Sequence, residues 1–276
     1  IKKNSIVIIE ASSFQLFHLK FVKPTFAAIL NISKDHLDWH GTVKNYQDSK
    51  FNIFSKQEKQ DKALLGKKDH IKKFQSKFFL SKLVKVKKIN LDKIFKSRIT
   101  NNYLLSKPNL ENVYFVYKLS TLLKIKKNII LKALNSFKGL PHRNEIFYYK
   151  NGVTFINDSK ATSFDATKYA LKNNKNIFWI VGGLPKLGER FELVNIKKNI
   201  IKSYIIGKNI NFFKKQIGRT VEYKSSLTLE NALHNIFTDL LLLSRKSATV
   251  LLSPASASYD QFNNFTERGN HFKKIS

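Results

Sequence analysis

Acidic, basic and hydroxyl side chains stand together in the segment Asn157–Thr162, directly after the apolar run Val153–Ile156. The run has the composition of a buried strand, and ligands bind at the carboxyl ends of strands in open α/β sheets. Asp158 offers an acceptor suited to a ribose hydroxyl, whereas Arg143 and Lys160 offer positive charge for a phosphate or carboxylate. The alternative is a polar turn with a lysine in solvent.

A second acidic strand end is predicted near the start of the chain. The apolar run Ser5–Ile9 is composed as a buried strand, and Glu10 follows it. A carboxylate in that position is suited to holding a magnesium ion beside phosphates. The alternative is that Ser12 or Ser13 caps the helix that comes next.

The third strand end carries an imidazole. Thr25–Ile32 is predicted to be a buried strand, and His36 lies in the acidic loop after it. If this strand neighbours the one before Glu10, the two side chains converge on one crevice. The segment Thr42–Gln57 then indicates a helix with Lys50 among its apolar positions. A buried lysine is costly unless it is paired or chemically changed, although its stem can also run along the surface with the amine in water.

Three further segments could contact anions or bases. Asn109 and Asn112 lie three residues apart at the start of a predicted helix, where Asn109 could instead be the N-cap. Gly182–Lys186 follows another predicted strand. Ser253–Ser258 follows the last strand and is predicted to open a helix, whose N-terminus would attract an anion.

The elements that position these groups alternate between strand and helix after a predicted domain junction at Gly139–Pro141. This pattern predicts a mostly parallel sheet with helices on both faces. The predicted strands are Val153–Ile156, Ile177–Val181, Ser203–Ile206, Val221–Tyr223 and Ala248–Leu252. The predicted helices are Phe164–Leu171, Ile210–Gln216, Leu227–Leu243 and Tyr259–Lys274. Before the junction, short strands are predicted at Ala63–Leu65 and Phe78–Leu80, and helices at Val113–Leu123 and Lys127–Phe137.

The composition allows two domains, because the 276 residues are 42% hydrophobic and 13% aromatic. With zero cysteines there are no disulfides or thiolate metal sites, which fits the cytoplasm. The formal charge of +31 raises the alternative of a nucleic-acid-binding protein. However, the lysines are spread along the chain, and residues with A/T-rich codons are abundant together. We therefore predict no nucleic-acid partner. Since the sequence has no run of about 18 apolar residues, we also predict no membrane partner.

The series of motifs resembles the Mur ligase family, in the family's order. The most specific members of the series are DSKAT at 158–162 and SPASAS at 253–258. The others are EASSFQL at 10–16, ILNISKDHLDWHG at 29–41, NYQDSKFNIF at 45–54, NLEN at 109–112, GLPHRNE at 139–145 and GGLPK at 182–186. Ser256 stands where the family often has cysteine. The resemblance implies an ATP-dependent ligase that joins D-glutamate to UDP-N-acetylmuramoyl-L-alanine in peptidoglycan precursor synthesis, through an acyl phosphate.

The resemblance also assigns roles in the first part of the chain. Glu10 and His36 would be magnesium ligands, together with Lys50 as a carbamate formed with carbon dioxide. Lys50 and His36 would thereby act in catalysis. Ser12 would contact the muramoyl-alanine substrate, and Asn109 and Asn112 the adenine of ATP. 

In the second part, Arg143 would contact the γ-phosphate and Asp158 the ribose. Lys160 and Thr162 would face the acyl substrate and its phosphate. Because Arg143 and Lys160 would both lie at the transferred phosphate, the resemblance also makes them catalytic. The D-glutamate pocket would consist of Lys186, Ser258, Tyr259 and Phe265.

The expected fold class is α/β. Residues 1–138 would form a P-loop-type central domain, lacking its first strands and phosphate loop, and residues 139–276 a Rossmann-like carboxyl-terminal domain. No GxxGKT/S-like phosphate loop occurs in the printed chain. We therefore expect a cytoplasmic, monomeric portion of a longer ligase that is inactive by itself, with a truncated, non-catalytic remnant as the alternative.

Overall fold

The structure, a computed structural model, describes residues 5–33, 35–242 and 247–276. It consists of two compact units, Ile1–Phe137 and Lys138–Ser276. Leu243, the predicted end of one helix, lies outside the described residues. In the described part of the chain, no helix is both long and apolar enough to cross a membrane.

The first unit contains a parallel sheet of three strands in the order β1 (Phe26–Ile29), β2 (Lys62–Leu65) and β3 (Lys82–Lys85). Its helices are α1 (Ser13–Phe17), α2 (Leu37–His40), α3 (Val43–Phe51), α4 (Lys68–Ser76), α5 (Leu91–Phe95), α6 (Asn102–Leu105), α7 (Lys107–Leu122) and α8 (Lys127–Ser136). A 3-10 turn, Asn52–Phe54, follows α3. The predicted helix Thr42–Gln57 is thus α3 and this turn, with Thr42 as the cap.

Alternating residues of β2 supply two apolar cores. Ala63 and Leu65 pack with Phe51 and Phe54 on one face of the sheet. Leu64 belongs to the opposite core, with residues of α7 and α8. This alternation is the expected consequence of the two-residue period of a strand.

Two predicted strands of the first unit are wrong. Ser5–Ile9 forms no strand, and its apolar side chains are exposed, with Ile8 at 88%. An apolar run becomes a buried strand only if neighbouring strands bond to it, and no described strand pairs with this segment. Phe78–Leu80 is the turn before β3, because Phe78 has a left-handed backbone with φ of +51° and is 89% exposed.

The second unit is built on a sheet of six strands in the order β4-β5-β9-β6-β7-β8. These strands are β4 (Glu145–Lys150), β5 (Val153–Asn157), β6 (Ile177–Gly182), β7 (Ile200–Ile206), β8 (Tyr223–Leu227) and β9 (Ala248–Leu252). Only β4 is antiparallel to its neighbour. The helices are α9 (Phe164–Asn173), α10 (Ile210–Ile217), α11 (Leu229–Leu242) and α12 (Phe265–Ile275), with a 3-10 turn at Lys197–Asn199. The predicted mostly parallel α/β sheet is confirmed.

Both faces of this sheet are buried. Trp179 points into a core with α9 and α10, and its neighbour Phe178 into a second core with α11 and α12. Every residue of β6 is buried, which accounts for the unbroken apolar sequence of Ile177–Val181.

The structure adds one strand to the second unit and moves several predicted boundaries. Strand β4 was not predicted, because most of its side chains are exposed and it forms the sheet edge. The predicted strand Val221–Tyr223 begins at Tyr223 and continues to Leu227, so that α11 begins at Leu229 instead of Leu227. Helix α12 begins at Phe265, not at Tyr259, because Asn264 caps it by accepting a hydrogen bond from the Glu267 amide.

Candidate functional site

Three loops meet at one edge of the second sheet. Strand β9 lies between β5 and β6, and all three are parallel, with Leu252 aligned to both Asn157 and Ile180. The carboxyl ends of these strands, and the loops after them, therefore share an edge. These are the loops that contain Asp158, Ser258 and Lys186.

Asp158 is almost completely buried in the first of these loops, with 6% exposure. One carboxylate oxygen accepts a hydrogen bond from the Asn144 amide at 2.9 Å, and the other from the Ser253 hydroxyl at 2.7 Å. Burial raises the pKa of Asp158 to about 6, against the opposing effects of these bonds and of Arg143. Because a carboxylate accepts about four hydrogen bonds, capacity for a ligand hydroxyl remains.

The positive groups near Asp158 differ in exposure. Arg143 is exposed, whereas Lys160 is half-buried with its Nζ 5.5 Å from the centre of the Phe265 ring. Thr162 is half-buried. The Lys160 amide donates to the His142 carbonyl at 3.0 Å, which ties this loop to the turn that carries Arg143.

His142, which lies on the same turn as Arg143, is buried. Its Nδ1 lies 3.0 Å from the Asn157 Nδ2, which also donates to the Gly269 carbonyl at 3.1 Å. The Asn157 amide is therefore the donor to His142, and the imidazole carries its hydrogen on Nε2. The loops and helix α12 are thus held together by buried polar groups that no local sequence pattern indicated.

The two other loops of this edge are joined to each other. Leu184 and Ala257 form an antiparallel bridge, with the Leu184 amide 2.9 Å from the Ala257 oxygen. The predicted pocket residues on these loops differ in exposure: Ser258 is buried, Lys186 is half-buried and Tyr259 is 71% exposed. 

Phe265, the fourth predicted pocket residue, begins α12, and its carbonyl accepts a hydrogen bond from the Ser159 hydroxyl at 2.8 Å. The helix predicted to open at Ser253–Ser258 is absent there, so its N-terminus does not provide an anion site in this loop.

In the first unit, the alternative role for the Glu10 turn is confirmed. Ser12 caps α1 by accepting from the Gln15 amide, and the Gln15 side chain accepts from the Ser12 amide at 2.8 Å. Glu10 precedes this turn and is exposed.

His36 and Lys50 both approach Tyr46. The His36 ring lies 6.2 Å from the Tyr46 ring, and the Lys50 Nζ lies 5.7 Å from the centre of the same ring. Lys50 is half-buried. Burial lowers the pKa of its amine, against the attraction of Asp35 and Glu10.

The fit to a metal ion depends on the form of Lys50. Among the described residues, no group of three or more His, Asp or Glu side chains could hold a metal ion. A carbamate on Lys50 would replace a cation by oxygen ligands of the kind that magnesium prefers. Of the three residues assigned to magnesium, Lys50 can therefore serve as a ligand only if it is modified in this way.

His40 is a buried residue of this region that the sequence did not single out. Its Nε2 lies 3.0 Å from the Ser13 hydroxyl, and its Nδ1 3.4 Å from the Ser49 hydroxyl. It thereby connects α1 to the turn of α3 that carries Lys50. Burial lowers the pKa of His40.

Asn109 lies on the first turn of α7, and Asn112 lies on the second. Asn109 is not the N-cap, which is Ser106; its amide nitrogen donates to the Tyr103 carbonyl at 2.9 Å. Asn112 is exposed.

The sequence of residues 2–131 matches the Mur ligase middle domain. The whole chain is similar to UDP-N-acetylmuramoylalanine–D-glutamate ligase from two bacteria. It is 34% identical to that of Nitrobacter winogradskyi, over 99% of this chain and 64% of the relative. It is 35% identical to that of Fervidobacterium nodosum, over 99% of this chain and 63% of the relative. The chain therefore spans slightly less than two thirds of these relatives.

Solved structures show the same fold. The MurF ligase of Thermotoga maritima in complex with ADP has a TM-score of 0.63 at 17% identity, covering 92% of this chain and 61% of that one. The UDP-N-acetylmuramate–alanine ligase MurC of the same organism has a TM-score of 0.57 at 14% identity, covering 95% and 61%. The chain therefore contains a Mur ligase middle domain at residues 2–131, and nearly all of it aligns with the two ligases named above.

Proposed function

We propose that the protein contributes to ATP-dependent amide bond formation between D-glutamate and UDP-N-acetylmuramoyl-L-alanine, in the cytoplasm. The observation that carries this proposal is the shared edge of β5, β9 and β6. There an acid, lysines and hydroxyls meet on three joined loops. The names of the similar relatives support the same reaction.

Nucleotide binding is assigned to residues of both units. In the second unit, Asp158 would accept from the ribose and Arg143 would contact the γ-phosphate. The remaining acceptor capacity of Asp158 and the exposed guanidinium of Arg143 support these roles. In the first unit, Asn109 and Asn112 would contact adenine.

The amino acid is assigned to the loops after β6 and β9. Lys186 would meet a carboxylate of D-glutamate, and Ser258, Tyr259 and Phe265 would complete the pocket. The bridge between Leu184 and Ala257 supports this grouping, because it draws the loops of Lys186 and Ser258 together. 

The acyl substrate is assigned to Ser12 in the first unit and to Lys160 and Thr162 in the second. A magnesium ion would be held by Glu10, His36 and carbamylated Lys50, and when bound it would offset phosphate charge. The half-burial of Lys50 and the lowered pKa of its amine support the modification, since carbamylation needs a neutral amine.

The chemistry has two steps. The carboxylate of the muramoyl-alanine substrate attacks the γ-phosphorus of ATP, which gives an acyl phosphate and ADP. The D-glutamate amine then attacks the acyl carbon, the carbon–oxygen bond to phosphate breaks, and the amine loses a proton. Arg143 and Lys160 would stabilise the negative charge that develops on the transferred phosphoryl group.

Binding measured by NMR tests the assignment. The ¹⁵N-labelled chain is titrated with D-glutamate, with L-glutamate as the stereochemical control, and separately with ADP. We expect Lys186→Ala to weaken D-glutamate binding about tenfold or more, because a carboxylate loses its charged partner, with ADP binding unchanged. Asp158→Ala should weaken ADP binding and leave D-glutamate binding unchanged. Exchanged effects of the two substitutions, or equal binding of both glutamate enantiomers, would contradict the assignment.

A further inference from the structure

Arg268, on α12, is only 1% exposed, which is unusual for a charged residue. Its Nε donates to the Ser159 hydroxyl at 3.0 Å, and its Nη2 donates to the Ser159 carbonyl at 2.9 Å and the Ser256 carbonyl at 3.0 Å. One guanidinium thus bonds to the loop after β5 and to the loop after β9.

The third loop also lies against this group. A Cβ atom built on Gly183 would lie 3.3 Å from the Arg268 Nη1 and only 2.3 Å from the Ala257 oxygen. Gly183 has φ of +135°, so a side chain there would be strained as well as crowded. The guanidinium therefore lies directly behind the backbone of all three loops.

The charge of Arg268 is not neutralised by a close carboxylate of the described residues. Its Nη1 is buried and has no hydrogen-bond partner there. Burial lowers the pKa of Arg268 to about 10, and Asp260 opposes this shift only as a Coulombic neighbour. A buried cation bonded only to neutral oxygens is costly, and an anion bound nearby would offset that cost.

We propose that Arg268 is a positioning residue that clamps the loops after β5 and β9 together and whose charge favours a carboxylate ligand on them. The ligand class, an acidic amino acid such as D-glutamate, rests on the function proposed above. The side chain acts through the loops, since it is too buried to contact the ligand itself.

Two substitutions of Arg268 distinguish the hydrogen bonds to the loops from the effect of the positive charge. Arg268→Lys keeps the charge but cannot bond to both loops with a planar fork, and Arg268→Gln removes the charge while keeping an amide donor. Lys274→Gln is the matched control, because it removes one positive charge from the exposed side of the same helix.

The clamp is measured by amide hydrogen exchange in the 276-residue chain, which needs no ligand. We expect both Arg268 variants to exchange roughly tenfold faster in residues 159–162 and 256–258, with β6 and the Lys274 control unchanged. Unchanged exchange in both loops would overturn the clamp. Faster exchange throughout the sheet would also overturn it, because the residue would then only stabilise the unit.

The charge is measured by NMR titration with D-glutamate. We expect Arg268→Gln to weaken binding about tenfold and Arg268→Lys to weaken it less, because a charge within about 10 Å still acts through the protein. Equal weakening by both variants would overturn the electrostatic role. If the unaltered chain does not bind D-glutamate while the exchange results are as expected, the proposed substrate is wrong and the clamp is supported.

Discussion

Among individual residues, Asp158 combines a proposed ligand role with an unusual protonation. Its carboxylate is held by Asn144 and Ser253 in a buried position, and burial raises its pKa from 3.8 to about 6. The folded state therefore binds this proton more tightly than the unfolded state does. A raised carboxyl pKa makes the free energy of unfolding fall as pH rises between those two values.

We expect Asp158→Asn to remove this dependence on pH. The difference in the free energy of unfolding, variant minus unaltered protein, should rise by about 2 kcal/mol between pH 4 and pH 7, since one pKa unit corresponds to about 1.4 kcal/mol and most of the shift lies within this range. Urea unfolding followed at several pH values measures it. Asp165→Asn is the control, because it removes the same charge from a largely exposed side chain of α9. An equal change with pH in both variants would contradict the explanation.

At the scale of elements, helix α12 packs unusually close to the end of β5 and to the turn that carries His142. A Cβ atom on Gly269 would lie 2.3 Å from the His142 Nδ1 and 3.0 Å from the Asn157 Oδ1. The helix can approach these buried side chains only because it has a glycine there. Its neighbour in sequence, Asn270, is exposed.

We expect Gly269→Ala to destabilise the protein by about 1–3 kcal/mol, although alanine favours helix, because the methyl group overlaps the imidazole. Asn270→Ala, one residue away, should have little effect. Thermal unfolding of the two variants measures the difference. If Gly269→Ala were as stable as the unaltered protein, α12 would not be held at this distance by His142 and Asn157.

At the scale of the whole molecule, the second unit has the cores it needs to fold independently. Its sheet is covered by its own helices on both faces, and the two cores contain only residues of this unit. The predicted division into 1–138 and 139–276 can therefore be tested directly. We expect residues 139–276 to fold alone, giving a cooperative thermal transition by circular dichroism and a dispersed NMR spectrum. A spectrum of an unfolded chain would contradict this.

The net charge of +31 also acts on the whole molecule. Because we expect no nucleic-acid partner, any binding of duplex DNA should be electrostatic and should fall steeply as salt rises from about 50 to 200 mM. Fluorescence anisotropy with two unrelated duplexes measures this. Affinity that persists at the higher salt for one duplex and not for the other would favour the nucleic-acid alternative.

The sequence by itself determined the α/β class, the strands β5, β6 and β9, and which polar residues follow them. These features are local: an unbroken apolar run indicates a buried strand, and the polar residues after it must lie at its end. It also indicated a cap at Ser12 or Ser13, since a cap bonds to an amide three residues away, and the structure shows that Ser12 is the cap. 

The tertiary structure alone decided which strands are neighbours and which polar groups are buried. Asp158 and Ser253 are 95 residues apart in sequence, and Arg268 and Ser159 are 109 apart. No periodicity shows such contacts, because they arise only when β9 enters the sheet beside β5 and α12 packs against it. For the same reason the apolar run Ser5–Ile9 was wrongly predicted as a strand: composition gives a segment the capacity to pair, but only a neighbouring strand supplies the hydrogen bonds.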